Sequence, residues 1–200
     1  MRKRALNAVA PGTLISYRER HAIVLEPLPQ GVFVQLVDPI EDHAFGKTND
    51  WRESDLRQYL NGEFARLLCE GNADELLDTV TDLTAMDGTT DYGSSVDKVT
   101  LLTIDQCRKY RYTRPLPDEW EWTSTPASTP GGWDENKRYA CYLRANGNVY
   151  NGVCANTYGA RPAFTLPSNL CVELPHCTGL ADYTDAELLE ELLKRQQCEK

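Results

Sequence analysis

The sequence predicts one α+β domain of short antiparallel strands, two main helices and long ordered loops, followed by a C-terminal amphipathic helix. Three observations support this class. Its 200 residues, 41% of them hydrophobic, are enough to bury one sizeable core. Apolar and polar residues alternate between Thr13 and Asp38, as in strands. After Ser54, apolar residues recur at helical spacing instead.

The first elements are three strands and a helix. Thr13–Tyr17, His21–Leu25 and Val32–Val37 are strand-like, and charged or Pro/Gly-rich turns separate them. The helix runs from residue 54 to residue 68, and Ser54 is placed to cap its first turn. This first part is therefore predicted as a three-stranded antiparallel unit that leads into one long helix.

The middle of the chain alternates between element types. A second helix is predicted for Ala73–Val80, an ordered loop for Thr81–Ser95 and a short strand for Val99–Thr103. The run from Thr103 to Gln106 matches a capping box, which predicts a helix through Tyr110.

The stretch from Glu119 to Phe164 is predicted to form short strands and long loops, because aromatic residues alternate there with small polar ones. Asn146-Gly147 indicates a two-residue hairpin turn. Tyrosine combined with Asn and Gly is typical of a contact surface. The alternative interpretation is that these tyrosines close an irregular sheet. The candidate ligand residues are Trp133, Tyr142, Arg144, Asn148, Tyr150, Asn151, Asn156 and Tyr158.

A second set of residues is predicted to be structural. Trp51, Trp120 and Trp122 are expected in the core, because aromatic side chains bury large areas. At the turn before Phe164, Gly159 is expected to allow a positive φ, and Pro162 biases Arg161 towards extended geometry. A guanidinium fixed in this way can hold neighbouring loops together. The structural set is Trp51, Trp120, Trp122, Gly159, Arg161 and Pro162.

The C-terminal segment has the pattern of an amphipathic helix. Thr184 to Glu187 matches a capping box, and pairs of leucines follow it at helical spacing up to Arg195. Such a face either docks onto the parent domain or mediates self-association.

Charge and composition exclude several classes of partner. A net charge of -9 repels phosphate backbones and anionic lipids, so neither nucleic acid nor membrane is predicted as a partner. There is no apolar run of the length that crosses a bilayer and no signal-peptide pattern. We therefore expect a soluble chain without a targeting segment.

No metal or cofactor is predicted. The seven cysteines include no Cys-x-x-Cys pair and are interpreted as buried reduced thiols. The three histidines lack metal-ligand spacing. The carboxylates of Asp118, Glu119 and Glu121 could form an acid–base pair only in a pocket, and we interpret them as a charged solvated turn.

Several motifs together resemble an uncharacterised domain family of Firmicutes and their phages. The motifs are NDWRESDLRQYLNGEF (49–64), TDLTAMDGTTDYG (81–93), DKVTLLT (97–103), WEWTSTP (120–126), GNV (147–149) and GARPAF (159–164). This chain departs from the family pattern at Glu121 and Thr123, where the family more often has Trp and Leu. The resemblance divides the chain into an N-terminal tail (1–11), a domain (12–170) and a C-terminal extension (171–200).

The resemblance implies a C-type-lectin-like fold, shared with formylglycine-generating enzymes and with phage receptor-binding proteins. The function we expect is non-catalytic recognition of a protein or glycan, on a host surface or among phage structural proteins. One alternative is a cysteine- or metal-dependent oxidase, although Cys171 and Cys177 lack the flanking pattern of those enzymes. The other is a variable protein of a diversity-generating retroelement, because asparagine codons are rich in adenine.

Overall fold

The computed structural model describes residues 2–175, and the account below concerns that part of the chain. It contains fourteen strands in three sheets. The strands are β1 (Arg2–Ala5), β2 (Leu14–Tyr17), β3 (Arg20–Leu28), β4 (Gly31–Leu36), β5 (Ile40–Ala44), β6 (Thr79–Asp82), β7 (Ser94–Asp97), β8 (Val99–Thr100), β9 (Glu121–Pro126), β10 (Tyr139–Leu143), β11 (Val149–Val153), β12 (Thr157–Ala160), β13 (Ala163–Leu166) and β14 (Cys171–Leu174).

Helical structure is limited within these residues. Asp55–Tyr59, the π-helical turn Leu60–Phe64 and Ala65–Leu68 follow one another without a break and form one helix of 14 residues, α1. A second helix, α2 (Ile104–Lys109), is short. Single 3₁₀ turns cover Leu6–Ala8, Trp51–Glu53 and Ala73–Glu75.

The predicted α+β class, a C-type-lectin-like domain with two main helices, is therefore wrong. The described chain is mainly β-sheet, with α1 as its one substantial helix. The error lies mostly in Ala73–Val80, where a 3₁₀ turn and strand β6 replace the predicted second helix. Thr79–Asp82 pairs with Ser94–Asp97, and this long-range ladder outweighs the local helical pattern.

The sheets have seven, five and two strands. Their orders are β1-β14-β2-β3-β4-β13-β8, β11-β10-β9-β12-β5 and β6-β7. All paired strands are antiparallel except β9 and β12, which run parallel where Gly159 lies opposite Glu121. The three predicted strands between Thr13 and Asp38 are confirmed as β2, β3 and β4.

The main core lies where both large sheets meet α1. It contains Val24 and Phe164 from the seven-stranded sheet, Trp122 from the five-stranded sheet, and Leu56 and Leu60 from α1. A smaller cluster on another side includes Leu102, Cys107 and Leu143. Strand β10 contributes to both clusters, so both of its faces are covered.

Local signals predicted the start of each helix correctly. The Ser54 hydroxyl accepts a hydrogen bond from the Arg57 backbone N–H at 3.2 Å and donates one to the Phe45 carbonyl at 2.6 Å. Thr103 and Gln106 form the predicted capping box of α2.

Asp97, in β7, ties its hairpin to α1 and to the turn that precedes α1. Its carboxylate accepts hydrogen bonds from Trp51 Nε1 at 3.0 Å, Arg57 Nε at 2.6 Å and the Ser95 hydroxyl at 2.9 Å. Trp51 is fully buried, as predicted.

The ends of the described chain pair with each other. Strand β1, from the predicted tail, pairs with β14, from the predicted C-terminal extension, and Lys3 lies opposite Glu173. The segment predicted to form an amphipathic helix and to mediate self-association lies outside the described residues, as do Cys177 and Cys198. None of the helices in residues 2–175 is both long and apolar enough to cross a membrane.

Candidate functional site

Five aromatic side chains form a continuous cluster on one face of the five-stranded sheet. Trp122 and Tyr158 have ring centroids 4.4 Å apart, Tyr142 lies 4.8 Å from Tyr158, and Trp120 lies 5.2 Å from Tyr142 in a stacked arrangement. Tyr150 stacks on Tyr142 at 6.1 Å. We call these five residues the aromatic cluster. It runs from the buried core at Trp122 to the surface at Trp120 and Tyr150.

The cluster needs a glycine on the neighbouring strand. A Cβ at Gly152 would lie 2.9 Å from the Tyr158 hydroxyl and 3.2 Å from a ring carbon of Tyr142. Gly152 is paired with Ala140 in the β10–β11 ladder, so the two tyrosine rings pass over a strand position without a side chain.

Arg144 lies on the outer part of the cluster. Its guanidinium carbon is 3.9 Å from the centroid of Tyr150 and 5.1 Å from that of Trp120. Ring faces carry negative electrostatic potential and attract cations placed over them. These rings therefore already hold one positive charge at the surface.

The β10–β11 hairpin places Arg144 at its end. The Arg144 N–H donates to the Asn148 carbonyl at 3.0 Å, and the Gly147 N–H donates to the Arg144 carbonyl at 2.7 Å. Gly147 has φ of 78°, in the left-handed region. The loop is thus a three-residue turn, Ala145 to Gly147, and not the predicted two-residue one.

The candidate ligand residues do not share one surface. Tyr142 pairs with Tyr150 across β10 and β11, whereas Asn151 pairs with Cys141 and so faces the other side of the sheet. Trp133 is exposed, and its ring centroid lies 5.7 Å from that of Tyr139, on that same other side. The structure thus separates Trp133 and Asn151 from the aromatic cluster.

The remaining candidates lie at or near the cluster. Asn148 and Asn156 are exposed, and Asn156 Nδ2 donates to the Tyr158 hydroxyl at 3.0 Å. Tyr150 is exposed and Tyr158 is half-buried. Tyr142, although a candidate ligand residue, is only 4% exposed, because the main core covers this face of β10.

Beside Trp120 lies a groove that the sequence did not indicate. Its volume is about 400 Å³, and it is lined by Asp42, Asp118, Glu119, Trp120, Ala145, Thr157, Tyr158 and Gly159. A Cβ added at Gly159 would be 3.8 Å from Asp42 Oδ1 and 3.4 Å from the Trp120 carbonyl. Gly159 therefore forms part of the floor between the carboxylate and the tryptophan. We call this feature the acidic groove.

Trp120 corrects one prediction. It was expected in the core with Trp122, but 42% of it is exposed while 3% of Trp122 is. Trp120 precedes β9, and Trp122 lies within that strand. Residues two apart in a strand share a face, so the alternation pattern could not distinguish Trp120 from Trp122. Trp120 reaches solvent because it lies just before the start of the strand.

Glu121 is buried with two arginines directly behind the groove. Its carboxylate lies 2.7 Å from Arg161 Nη2 and 3.1 Å from Arg114 Nη2, and at most 5% of each of the three side chains is exposed. Burial raises the pKa of the Glu121 carboxyl, and the two guanidiniums oppose that rise. The interpretation of Glu121 as part of a solvated turn is wrong, whereas Asp118 and Glu119 are exposed.

Arg161 holds neighbouring segments together, as predicted. Besides its ion pair with Glu121, it donates to the Pro115 carbonyl at 3.4 Å, and its own carbonyl accepts from Gln35 Nε2 at 3.3 Å. Pro162 is buried between β12 and β13. The role predicted for Gly159 is wrong, because it lies in β12 without a positive φ. A Cβ at this position would meet its neighbours only at ordinary van der Waals distances, 3.4 to 3.8 Å.

The described cysteines are mostly buried. Cys69, Cys107, Cys141 and Cys154 are free and buried, and Cys171 is free and exposed. Burial raises the pKa of Cys107 to about 11 and those of Cys141 and Cys154 to about 12. These three thiols are protonated at neutral pH, whereas thiolates are the nucleophiles and metal ligands. Within residues 2–175 no group of three or more His, Cys, Asp and Glu side chains is arranged to hold a metal ion.

Comparisons of the chain with models of protein families, with curated proteins and with solved structures found no match. The resemblance to the Firmicutes and phage family therefore stays a prediction.

Proposed function

We propose that this chain is a non-catalytic recognition module of phage or prophage origin that binds a protein or glycan through the acidic groove and the outer part of the aromatic cluster. The observation that carries the proposal is Trp120, a large aromatic side chain left 42% exposed beside a groove of about 400 Å³. Grooves of this size with convergent polar groups are typical ligand sites.

The surroundings of Trp120 support a site that is already formed before a ligand arrives. Its ring is held by Tyr142 at 5.2 Å and by Tyr158 at 5.3 Å, so little side-chain entropy is lost when a ligand contacts it. Rigid aromatic side chains next to polar residues are typical of recognition surfaces. Asn148 and Asn156 supply adaptable amides nearby.

Phage or prophage origin, and a place in a virion or in the bacterial cytoplasm, rest on the motif resemblance. The non-catalytic assignment draws on the protonated state of the buried thiols Cys107, Cys141 and Cys154. The host surface and phage structural proteins are the partners to test first.

The test compares two exposed tryptophans. Purified protein is incubated with host-cell surfaces and with phage structural proteins, and bound protein is measured for wild type, Trp120→Ala and Trp133→Ala. We expect Trp120→Ala to weaken binding at least tenfold and Trp133→Ala to change it less than about twofold, because Trp133 lies across the sheet. Circular dichroism and melting temperature establish that both variants are folded. Binding that is unaffected by Trp120→Ala would remove the proposal.

A further inference from the structure

The acidic groove combines exposed aromatic surface with carboxylates that form no direct ion pair. None of Asp42, Asp118 and Glu119 forms an ion pair with another residue in the part of the chain that the structure describes, 2–175. By contrast, Glu121 directly behind them is neutralised by two arginines. Asp118 interacts at longer range with the buried Arg161, so Asp42 and Glu119 are the carboxylates left for a partner.

The lining has few hydrogen-bond donors. Ionised carboxylates only accept hydrogen bonds, and the side-chain donors among the lining residues are the Trp120 indole and the hydroxyls of Thr157 and Tyr158. A neutral ligand such as a sugar could donate hydroxyl hydrogen bonds to these exposed carboxylates but would bring no positive charge to them. A cation adds a positive charge against these carboxylates, which a neutral ligand does not.

The rings beside the groove also favour a cation. Arg144 already lies over Trp120 at 5.1 Å and over Tyr150 at 3.9 Å, so this aromatic surface accepts a guanidinium within the protein itself. Trp is the most favourable ring for such contacts. Because Arg144 and Tyr142 already lie against Trp120, the carboxylates carry the attraction for a further cation, and the exposed part of Trp120 supplies apolar contact beside them.

From these observations we propose that the acidic groove binds a lysine- or arginine-bearing segment of a partner protein, with the cationic head group against Trp120 and among Asp42, Asp118 and Glu119. The proposal rests on the proposed recognition function and names the chemistry of the partner. A volume of about 400 Å³ is large enough for one long side chain and its neighbours. The net charge of -9 assists the approach of such a partner but does not itself define the groove.

The experiment uses the full chain and two blocked peptides that are identical except for three arginines in one and three glutamines in the other. Binding is measured by isothermal titration calorimetry at low and at moderate salt. We expect saturable binding of the arginine peptide only, weakened as salt rises.

Two double variants with the same charge change separate a site from general attraction. Asp118→Asn/Glu119→Gln removes two groove carboxylates. Glu41→Gln/Glu63→Gln removes two exposed carboxylates that do not line the groove. We expect at least a tenfold loss of affinity for the first and less than a threefold loss for the second. Equal losses in both would show attraction by net charge alone and would overturn the proposal.

Failure of this inference can be distinguished from failure of the proposed function. If the arginine peptide does not bind but host or phage components bind in a Trp120-dependent way, the cationic partner is wrong and the recognition module stands. If neither binds, both proposals fall.

Discussion

Replacing Glu121 by glutamine tests the buried network that supports the groove. Glu121→Gln keeps the shape of the side chain but leaves the guanidiniums of Arg114 and Arg161 without their shared anion, at a site where at most 5% of each side chain is exposed. Loss of one partner of a buried ion pair costs about 3–5 kcal/mol, because the remaining charge stays buried. For a domain of this size, that corresponds to a fall in melting temperature of about 6–20 °C.

The assay is urea unfolding followed by circular dichroism, with the free energy of unfolding compared between variants. Glu119→Gln is the matched control, since that residue is exposed and should change stability by no more than about 0.5 kcal/mol. A loss below about 1 kcal/mol for Glu121→Gln would refute the argument that the network is desolvated. Replacing all three residues by Leu, Met and Met should restore most of the stability, because uncharged side chains of similar volume need no compensation.

Three further predictions concern the scaffold. Gly31→Ala should destabilise the fold by about 1–3 kcal/mol, because the added Cβ would lie 2.3 Å from the Leu166 carbonyl oxygen. In Gly62→Ala, in α1, the added Cβ meets no atom within 4 Å, so this variant should stabilise the fold by about 0.5–1 kcal/mol. Urea unfolding measures both changes. Asp97→Asn should cost about 2–3 kcal/mol and lower the melting temperature, since the carboxylate accepts three hydrogen bonds; an unchanged melting temperature would contradict this. Burial raises the pKa values of the Cys141 and Cys154 thiols from 9.0 to about 12. Above pH 9 the unfolded chain therefore loses these protons while the folded protein keeps them, which favours unfolding. The free energy of unfolding should be constant below pH 9 and, between pH 9 and pH 12, fall by about 1.4 kcal/mol per pH unit for each thiol. A Cys141→Ala/Cys154→Ala variant should show a smaller decline of the urea midpoint between pH 7 and pH 10, and an identical decline would show that these thiols are not the cause.

Local chemistry explains which parts of the fold were predictable. The cap at Ser54 and the capping box from Thr103 to Gln106 depend on residues three positions apart, and both were confirmed. The three strands between Thr13 and Asp38 alternate clearly and were also confirmed. Ala73–Val80 was wrong because its strand exists only through pairing with Ser94–Asp97, which local spacing does not encode.

The candidate site was only partly predictable. Arg144, Tyr150 and Tyr158 were identified from composition, and the structure places them together with Trp120. Asp42 could not be found from the sequence, because it reaches Gly159 only through the pairing of β5 with β12. The run Asp118-Glu119-Trp120 was the one available signal, an acidic pair next to a tryptophan, and it was interpreted as a turn followed by a core residue.

By itself, the sequence determined the helix starts, strands β2 to β4 and the excess of negative charge, since each depends on neighbouring residues or on simple sums. Only the tertiary structure decided that Glu121 is buried between two guanidiniums while Trp120, one residue earlier, reaches solvent. The physical reason is that exposure depends on where a strand ends and on what lies opposite it, and both are set by segments far away in the chain.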